Sequence, residues 1–436
     1  MTALLTIGVA LAAYSVLSGL LDHRGVTSAM AFVLIGLAVG SAGTGWLDVP
    51  LESAAAEHAA ELALAFLLFT DSARIDLLSL RRSLAWPSRL LLVGLPLTMV
   101  LGLAAGWLLF PGIPLASAFV LATMLCSTDA ALGQRVVEDP AVPARVRQAL
   151  DVESGLNDGL AVPFFLVAVD LAMATLHGGI GSAVLSNIAS QIGWGLVAGV
   201  GVGAAGGLLL RVADQRGWIQ SQWRQLCVLA VATAAFAAAD TLGGSGFIAA
   251  FVGGIAYGVA SRQSGLRATY LAEEVGSILA AVTWMGFGAL AVSEVWSDIT
   301  WQVVVYAVLS LTVVRMVPVA LALAGSGARW PTVVFMGWFG PRGLASVVFG
   351  LLALEAGVPD LDPLLTTVVV TVGLSVFLHG LSATPLVGAY QRWYAGHPAP
   401  TPGGPGAPAT AEGRPTAVTR PRRRPGPGEG LPGSAD

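Results

Sequence analysis

Lysine is absent from the 436-residue chain, so every fixed positive charge on a side chain is an arginine. Charge of either sign is scarce: Asp, Glu, Lys and Arg make up 11% of the residues, against about 25% in soluble domains. The scarcity excludes a string of soluble domains. There are two cysteines, Cys126 and Cys227, both inside apolar segments. They provide neither a disulfide framework nor metal-ligand spacing. No nucleotide loop, metal box or nucleophile arrangement occurs, so no enzyme, no cofactor and no nucleic-acid partner is expected. The net charge of −4 is uninformative, because in a membrane protein the placement of charge matters more than its sum.

What the chain has is apolar length. Hydrophobic residues make up 55% of it and the mean hydropathy is +0.77. Continuous Ala-, Leu- and Gly-rich segments of about 20 residues recur throughout, each long enough to cross a bilayer as a helix. Barrel strands would be short and alternating. The expected fold is an all-α membrane protein with about thirteen crossings, at 3–21, 26–45, 54–72, 84–110, 115–134, 146–174, 181–211, 221–241, 244–260, 270–292, 298–324, 331–355 and 361–388. The first is read as a span, because it lacks a basic leader and a small-residue cleavage pattern before Asp22. Gly243, Gly244 and Gly246 mark the short break between spans 8 and 9, where close helix packing is expected.

Arginine placement orients these spans. Arg24 follows span 1, and Arg74, Arg81, Arg82 and Arg89 surround the connection after span 3. Arg135, Arg145 and Arg147 follow span 5, Arg211, Arg216 and Arg224 surround the connection after span 7, Arg262 and Arg267 follow span 9, and Arg329 follows span 11. Connections after even-numbered spans carry no arginine, and several carry acids instead, such as Asp48, Glu294, Asp298 and Asp360. The positive-inside rule then puts the N-terminus outside and the C-terminus in the cytoplasm of the plasma (inner) membrane. The membrane domain is expected over 1–394. Residues 395–436 are Pro-, Gly- and Ala-rich with a cluster at Arg420, Arg422, Arg423 and Arg424, and read as a disordered cytoplasmic tail.

The chemistry is expected where charge sits in apolar spans, because such residues usually face a cavity or a partner. The candidates are Asp129 in span 5, Glu153 and Asp158 in span 6, Arg315 in span 11 and Arg342 in span 12, with Asp71 near the end of span 3 a weaker one. Along span 6, Ser154 and Asp158 are four residues apart, and so are Glu153 and Asn157. One helix side thus offers two carboxylates, an amide and a hydroxyl, hard oxygen donors suited to a small hard cation. The plainer reading is a hydrogen-bond patch that only holds the bundle together. Ser127-Thr128-Asp129 in span 5 and Phe339-Gly340-Pro341-Arg342-Gly343 in span 12 each read as a helix break. Unwound carbonyls at the first break would coordinate a cation, with Asp129 at the positive start of the following half-helix. Arg342 is expected to neutralise the negative end of the half-helix before it. His379 in span 13 reads as a satisfied packing residue, with tuning of a pH response as the sharper reading.

Glu153-Ser154-Gly155-Leu156-Asn157-Asp158, preceded by Ser127-Thr128-Asp129 and followed by Gly340-Pro341-Arg342-Gly343, resembles the monovalent cation:proton antiporter-1 family, the sodium/proton exchangers with an Asn-Asp pair. The resemblance runs over roughly residues 1–390. It implies two inverted six-helix repeats plus an extra first helix, crossing unwound helices 5 and 12, and a homodimer. It also implies that Asp158 binds cation and proton in turn, with Asn157, Ser154, Asp129 and the Thr128 carbonyl as further contacts. Glu153 is implied to pair with Arg315, and Arg342 matches the arginine of the second crossover. One departure is Asp129-Ala130-Ala131, where many members have Asp-Pro.

With Glu153 neutralised by Arg315, Asp158 becomes the main free negative charge, open to one proton or one monovalent cation (Na+, K+ or Li+). Electroneutral one-for-one exchange by alternating access is the expected function. A channel or uniporter using the same carboxylate without protons is the alternative, and a membrane sensor without transport a third class.

Overall fold

The computed structural model describes residues 2–46, 54–74, 85–176, 181–262, 269–292 and 295–396. Among them the regular structure is entirely helical. Among the described residues six helices are long and apolar enough to cross a membrane: Thr2–His23, Ala85–Leu109, Ala144–Thr175, Ser182–Gln215, Trp301–Ala322 and Leu361–Gly396. The expected tail lies outside the described residues apart from Ala395 and Gly396, which continue the last helix. Arg81, Arg82, Asp48, Arg267 and Glu294 also lie outside them.

In chain order the helices are α1 (Thr2–His23), α2 (Ser28–Val39), α3 (Ala54–Ala73) and α4 (Ala85–Leu109). Span 5 is two helices, α5 (Leu115–Met124) and α6 (Ala130–Glu138). Next come α7 (Ala144–Leu176), α8 (Ser182–Gln215), α9 (Ser221–Thr241), α10 (Gly246–Ser261) and α11 (Tyr270–Gly286). Span 11 divides into α12 (Trp301–Leu311) and α13 (Val313–Ala322), and span 12 into α14 (Trp330–Trp338) and α15 (Leu344–Glu355). The last helix is α16 (Leu361–Gly396).

The break in span 11 was not anticipated. It falls at Thr312, whose backbone (φ −115°, ψ −89°) leaves the helical region while its hydroxyl donates to Val308 O at 2.6 Å. A hydroxyl that bonds back to the helix competes with the regular ladder. The glycine-rich α8 is continuous, because its glycines serve packing. Gly199, Gly203 and Gly207, four residues apart, lie against the backbone of α10 around Ala249, Gly253 and Tyr257, where a β-carbon would overlap it. Small residues at this spacing let two membrane helices approach closely. Between α9 and α10, Gly243 turns the chain with φ +74°.

Arginines from several connections meet at one end of the bundle. Arg135 pairs with Asp22 at 2.6 Å, Arg89 donates to Ala324 O at 2.7 Å, and Arg145 lies over the Trp86 ring. Arg329 lies over Trp393 and Tyr394. The same end holds an apolar cluster that includes Trp86, Val146, Leu150, Val319, Phe335 and Tyr390. That packing continues α16 to Gly396, past the expected end of span 13 at 388.

Candidate functional site

The two breaks meet inside the bundle. After Met124 the chain leaves α5, turns at Leu125–Cys126 and runs without regular structure to Asp129, and after Trp338 it leaves α14 until Leu344. Side chains that bond to nearby backbone favour such an exit in the first segment. In the second, Pro341 lacks a donor and cannot continue the ladder. The segments are tied directly, the Asp129 N–H donating to Pro341 O at 2.8 Å.

Asp129 caps two helices. Its Oδ1 accepts from Ala131 N (2.8 Å) and Leu132 N (3.1 Å) at the start of α6. Its Oδ2 accepts from Leu344 N at 2.9 Å, the first residue of α15. A carboxylate suits this place, because helix N-termini present unpaired N–H groups and a partial positive charge. The approach is so close that any β-carbon at Gly343 would overlap the Asp129 carboxylate.

Arg342 is fully buried, and its expected role needs correcting. It does not serve the end of α14. Its Nη1 donates to Cys126 O (2.8 Å) and Ser127 O (2.9 Å), just beyond α5, and its Nη2 reaches Ser310 O at 3.4 Å on α12. The cause is the crossing, which sets the carbonyl end of α5 opposite the unwound segment that carries Arg342. Each charged residue therefore serves the other break: Asp129 the start of α15, Arg342 the end of α5.

On α7, Glu153 and Arg315 form a bidentate ion pair at 2.5 and 2.9 Å, with both side chains almost wholly buried. Arg315 sits just inside α13, past the unexpected break. Gly340 packs so tightly on its guanidinium that a β-carbon would overlap it. Thr128 Oγ1 accepts from Asn157 Nδ2 at 2.6 Å and lies 3.1 Å from Ser154 Oγ. Ser127, buried in the same segment, lies close to Asp158. Asp158 Oδ1 and Asn157 Oδ1 are buried and have no hydrogen-bond partner among the described residues. From α3, Asp71 approaches the same stretch of α7, its Cβ 3.6 Å from where a β-carbon on Gly155 would stand.

The structure thus joins Thr128, Ser154 and Asn157 in one hydrogen-bonded group, with the buried Asp158 next to Asn157 along α7 and the Glu153–Arg315 pair on the same helix. Asp129 stands apart in one respect, since both its oxygens already face helix N-termini. Sequence reasoning passed over Ser310 and Ser375, which bond to Arg342 through their carbonyl and hydroxyl oxygens. Isolated serines in apolar spans are a weak signal, because most bond only within their own helix.

The chain matches the family described as sodium/hydrogen exchanger, transmembrane, over residues 7–389. Among curated relatives, the K(+)/H(+) antiporter NhaP2 of Shewanella sp. (strain ANA-3) is 26% identical over 394 residues, covering 87% of this chain and 65% of the relative. The K(+)/H(+) antiporter NhaP of Alkalimonas amylolytica is also 26% identical, covering 89% and 66%. Na(+)/H(+) antiporter 2 of Zygosaccharomyces rouxii is 28% identical over 264 residues, 55% of this chain and 31% of the relative. The chain therefore spans slightly less than two thirds of the length of the bacterial relatives it matches. The sodium proton antiporter MjNhaP1 of Methanocaldococcus jannaschii shares the fold, with a TM-score of 0.69, 18% identity, and coverage of 90% of this chain and 100% of that structure.

Proposed function

The chain belongs to the sodium/hydrogen exchanger family, and from that premise we propose that it is a secondary active antiporter exchanging one monovalent cation, Na+ or K+, for one H+. The observation that carries this reading is the buried, unpartnered Oδ1 of Asp158 beside the unpartnered Oδ1 of Asn157. Apart from Asp71 on α3, the other charges around it are answered locally. Glu153 faces Arg315, Asp129 faces two helix N-termini, and Arg342 faces three carbonyls. Asp158 is then the carboxylate left to be neutralised by an arriving ion.

One negative charge takes one proton or one monovalent cation. Hydroxyl and amide oxygens from Thr128, Ser154 and Asn157 complete a hard-donor set for the cation. A loaded, neutral site crosses between the two faces at low cost, whereas the bare carboxylate in a low-dielectric bundle does not. Exchange is then electroneutral. Movement of the unit holding the crossed breaks against the rest of the bundle supplies alternating access. Asp129 and Arg342 hold the unwound segments in place, so the site rests on charge compensation at helix ends.

Thirteen crossings arranged as two inverted repeats plus a first helix, in a homodimer, complete the reading. It is supported by the two interrupted helices of opposite charge meeting at one point. The gathering of Arg89, Arg135, Arg145 and Arg329 at one end supports a cytoplasmic C-terminus in the plasma membrane.

The test is a pH-sensitive dye in everted vesicles or proteoliposomes, with Na+ or K+ added to the wild type and to Asp158→Asn. Cation-evoked proton movement that the variant loses supports antiport at Asp158. Cation flux without proton movement makes the protein a uniporter. A transport current that reverses with voltage at fixed ion gradients sinks the one-for-one stoichiometry.

A further inference from the structure

The crossed breaks leave two backbone groups that neither charged side chain serves, and both are answered from α16. Trp338 O, at the end of α14, closes a tight turn by accepting from Gly340 N at 2.8 Å. The same carbonyl faces His379 Nε2 at 2.9 Å. Four residues back along α16, Ser375 Oγ accepts the backbone N–H of Arg342 at 2.7 Å. His379 Nδ1 lies 3.2 Å from Ser375 Oγ and 2.9 Å from Ser375 O, which joins the two contacts into one network. The ring is 1% exposed and packs against the Trp338 ring with centroids 5.1 Å apart, and Trp338 Nε1 donates to Ser382 Oγ at 2.9 Å.

The hydrogen positions follow from donor accounting. Nε2 faces a carbonyl, which can only accept, so Nε2 carries a proton. Ser375 Oγ already accepts from Arg342, and its own proton is free to go to Nδ1. The charged groups bearing on the ring are the guanidiniums of Arg342 and Arg315. An imidazolium would be a third cation there, with no carboxylate bonded to it among the described residues. The neutral ring with its proton on Nε2 satisfies the contacts with Trp338 O and Ser375 Oγ and leaves the one between Nδ1 and Ser375 O without a hydrogen.

We infer that His379 and Ser375 are positioning residues that clamp both ends of the α14–α15 break and thereby set where Arg342 stands. Arg342 in turn holds the carbonyls of Cys126 and Ser127, and the next residue, Thr128, bonds to Asn157 and meets Ser154. Loss of the clamp therefore reaches the ion site through the backbone that Arg342 holds. This goes beyond packing, because one ring nitrogen meets the carbonyl that ends α14 and the other meets Ser375, whose hydroxyl accepts the Arg342 N–H. It also differs from a pH sensor, because the clamp uses one fixed protonation state.

The inference rests on the antiport reading, and the experiment separates the two. Proteoliposomes with wild type, His379→Ala, Ser375→Ala, the double variant and His379→Gln are assayed with Na+ and with K+. His379→Ala and Ser375→Ala each raise the apparent cation KM about tenfold, the scale of one lost buried hydrogen bond, with Vmax per folded protein nearly unchanged. The double variant is no worse than the worse single one, since both cut one network. His379→Gln, whose amide supplies an N–H and a carbonyl oxygen in similar positions, restores KM and leaves the pH profile as in the wild type. Unchanged KM in both single variants overturns the inference, as does additivity in the double variant. So does a flattened pH profile in His379→Gln, which would make titration of the ring the functional event. A readout independent of transport is nitrogen NMR of labelled histidines in the wild type, with His379 assigned by its loss in His379→Gln. A protonated Nε2 and a bare Nδ1 are expected, and a proton on Nδ1 overturns the inference even if the wild type moves no ions. A wild type inactive with both cations counts against antiport alone.

Discussion

Asp129 Oδ2 accepts the Leu344 N–H at 2.9 Å, so a carboxylate in one helix break starts the helix that follows the other. The contact exists because Gly343 has no side chain, a β-carbon there overlapping the Asp129 carboxylate. Gly343→Ala is therefore expected to push the two breaks apart. Overpacking at a buried site costs about 1–3 kcal/mol, and here the displaced group is also a helix cap. The melting temperature in detergent should fall and ion-driven proton movement should be lost. A Gly343→Ala protein with wild-type melting and transport would show that the breaks tolerate separation.

The Glu153–Arg315 pair is bidentate and buried, so removing one partner strands a charge. Breaking such a pair costs about 3–5 kcal/mol. Glu153→Gln and Arg315→Gln should each destabilise strongly, and the double variant should destabilise by less than their sum. Glu153→Gln also leaves a positive charge beside the ion site, so its apparent cation KM should rise more than that of the double variant. Melting curves and transport assays on the three variants read both effects, and additive losses would mean the pair is not coupled.

Thr128 offers a third handle, since its hydroxyl accepts from Asn157 Nδ2 and meets Ser154 Oγ. Thr128→Val keeps the shape and leaves the Asn157 amide without this partner, at a cost of about 1–3 kcal/mol. Cation affinity should fall about tenfold or more on that scale, while Thr128→Ser should retain it. Equal affinities in Thr128→Val and the wild type would assign the Thr128 hydroxyl to packing alone.

Much of this arrangement can be read from residues, and the unreadable part has a common cause. Charge in apolar runs pointed to Asp129, Glu153, Asp158, Arg315 and Arg342, because such charge is rare in membrane spans. Gly340, Pro341 and Gly343 pointed to a break. The partner of Arg342 was not readable, since it depends on how two helices cross in space: the expected partner was the end of α14 and the observed one is the end of α5. The break at Thr312 was hidden because a lone threonine in an apolar run more often bonds back to an intact helix. The bonds of His379 were hidden for a similar reason, as its hydrogen bond across helices reaches a backbone carbonyl, which carries no residue signature.

The proposed competition at Asp158 has a definite sign. If one carboxylate takes either a proton or a cation, protons compete directly with the cation. As pH falls through the titration of that group, apparent cation KM should rise, approaching about tenfold per pH unit on the acid side, while maximal rate at saturating cation changes less. On the alkaline side KM should level off, and transport should slow as protons become scarce for the return step, giving a bell-shaped profile at fixed cation. Asp71 bears on the same region from α3, and Asp71→Asn should shift the profile without abolishing exchange, since Asp158 still carries the ion. Stopped-flow proton uptake across a pH series, in the wild type and Asp71→Asn, measures both curves. A KM independent of pH in the wild type would mean proton and cation do not share Asp158, and complete loss of exchange in Asp71→Asn would make Asp71 part of the ion site itself.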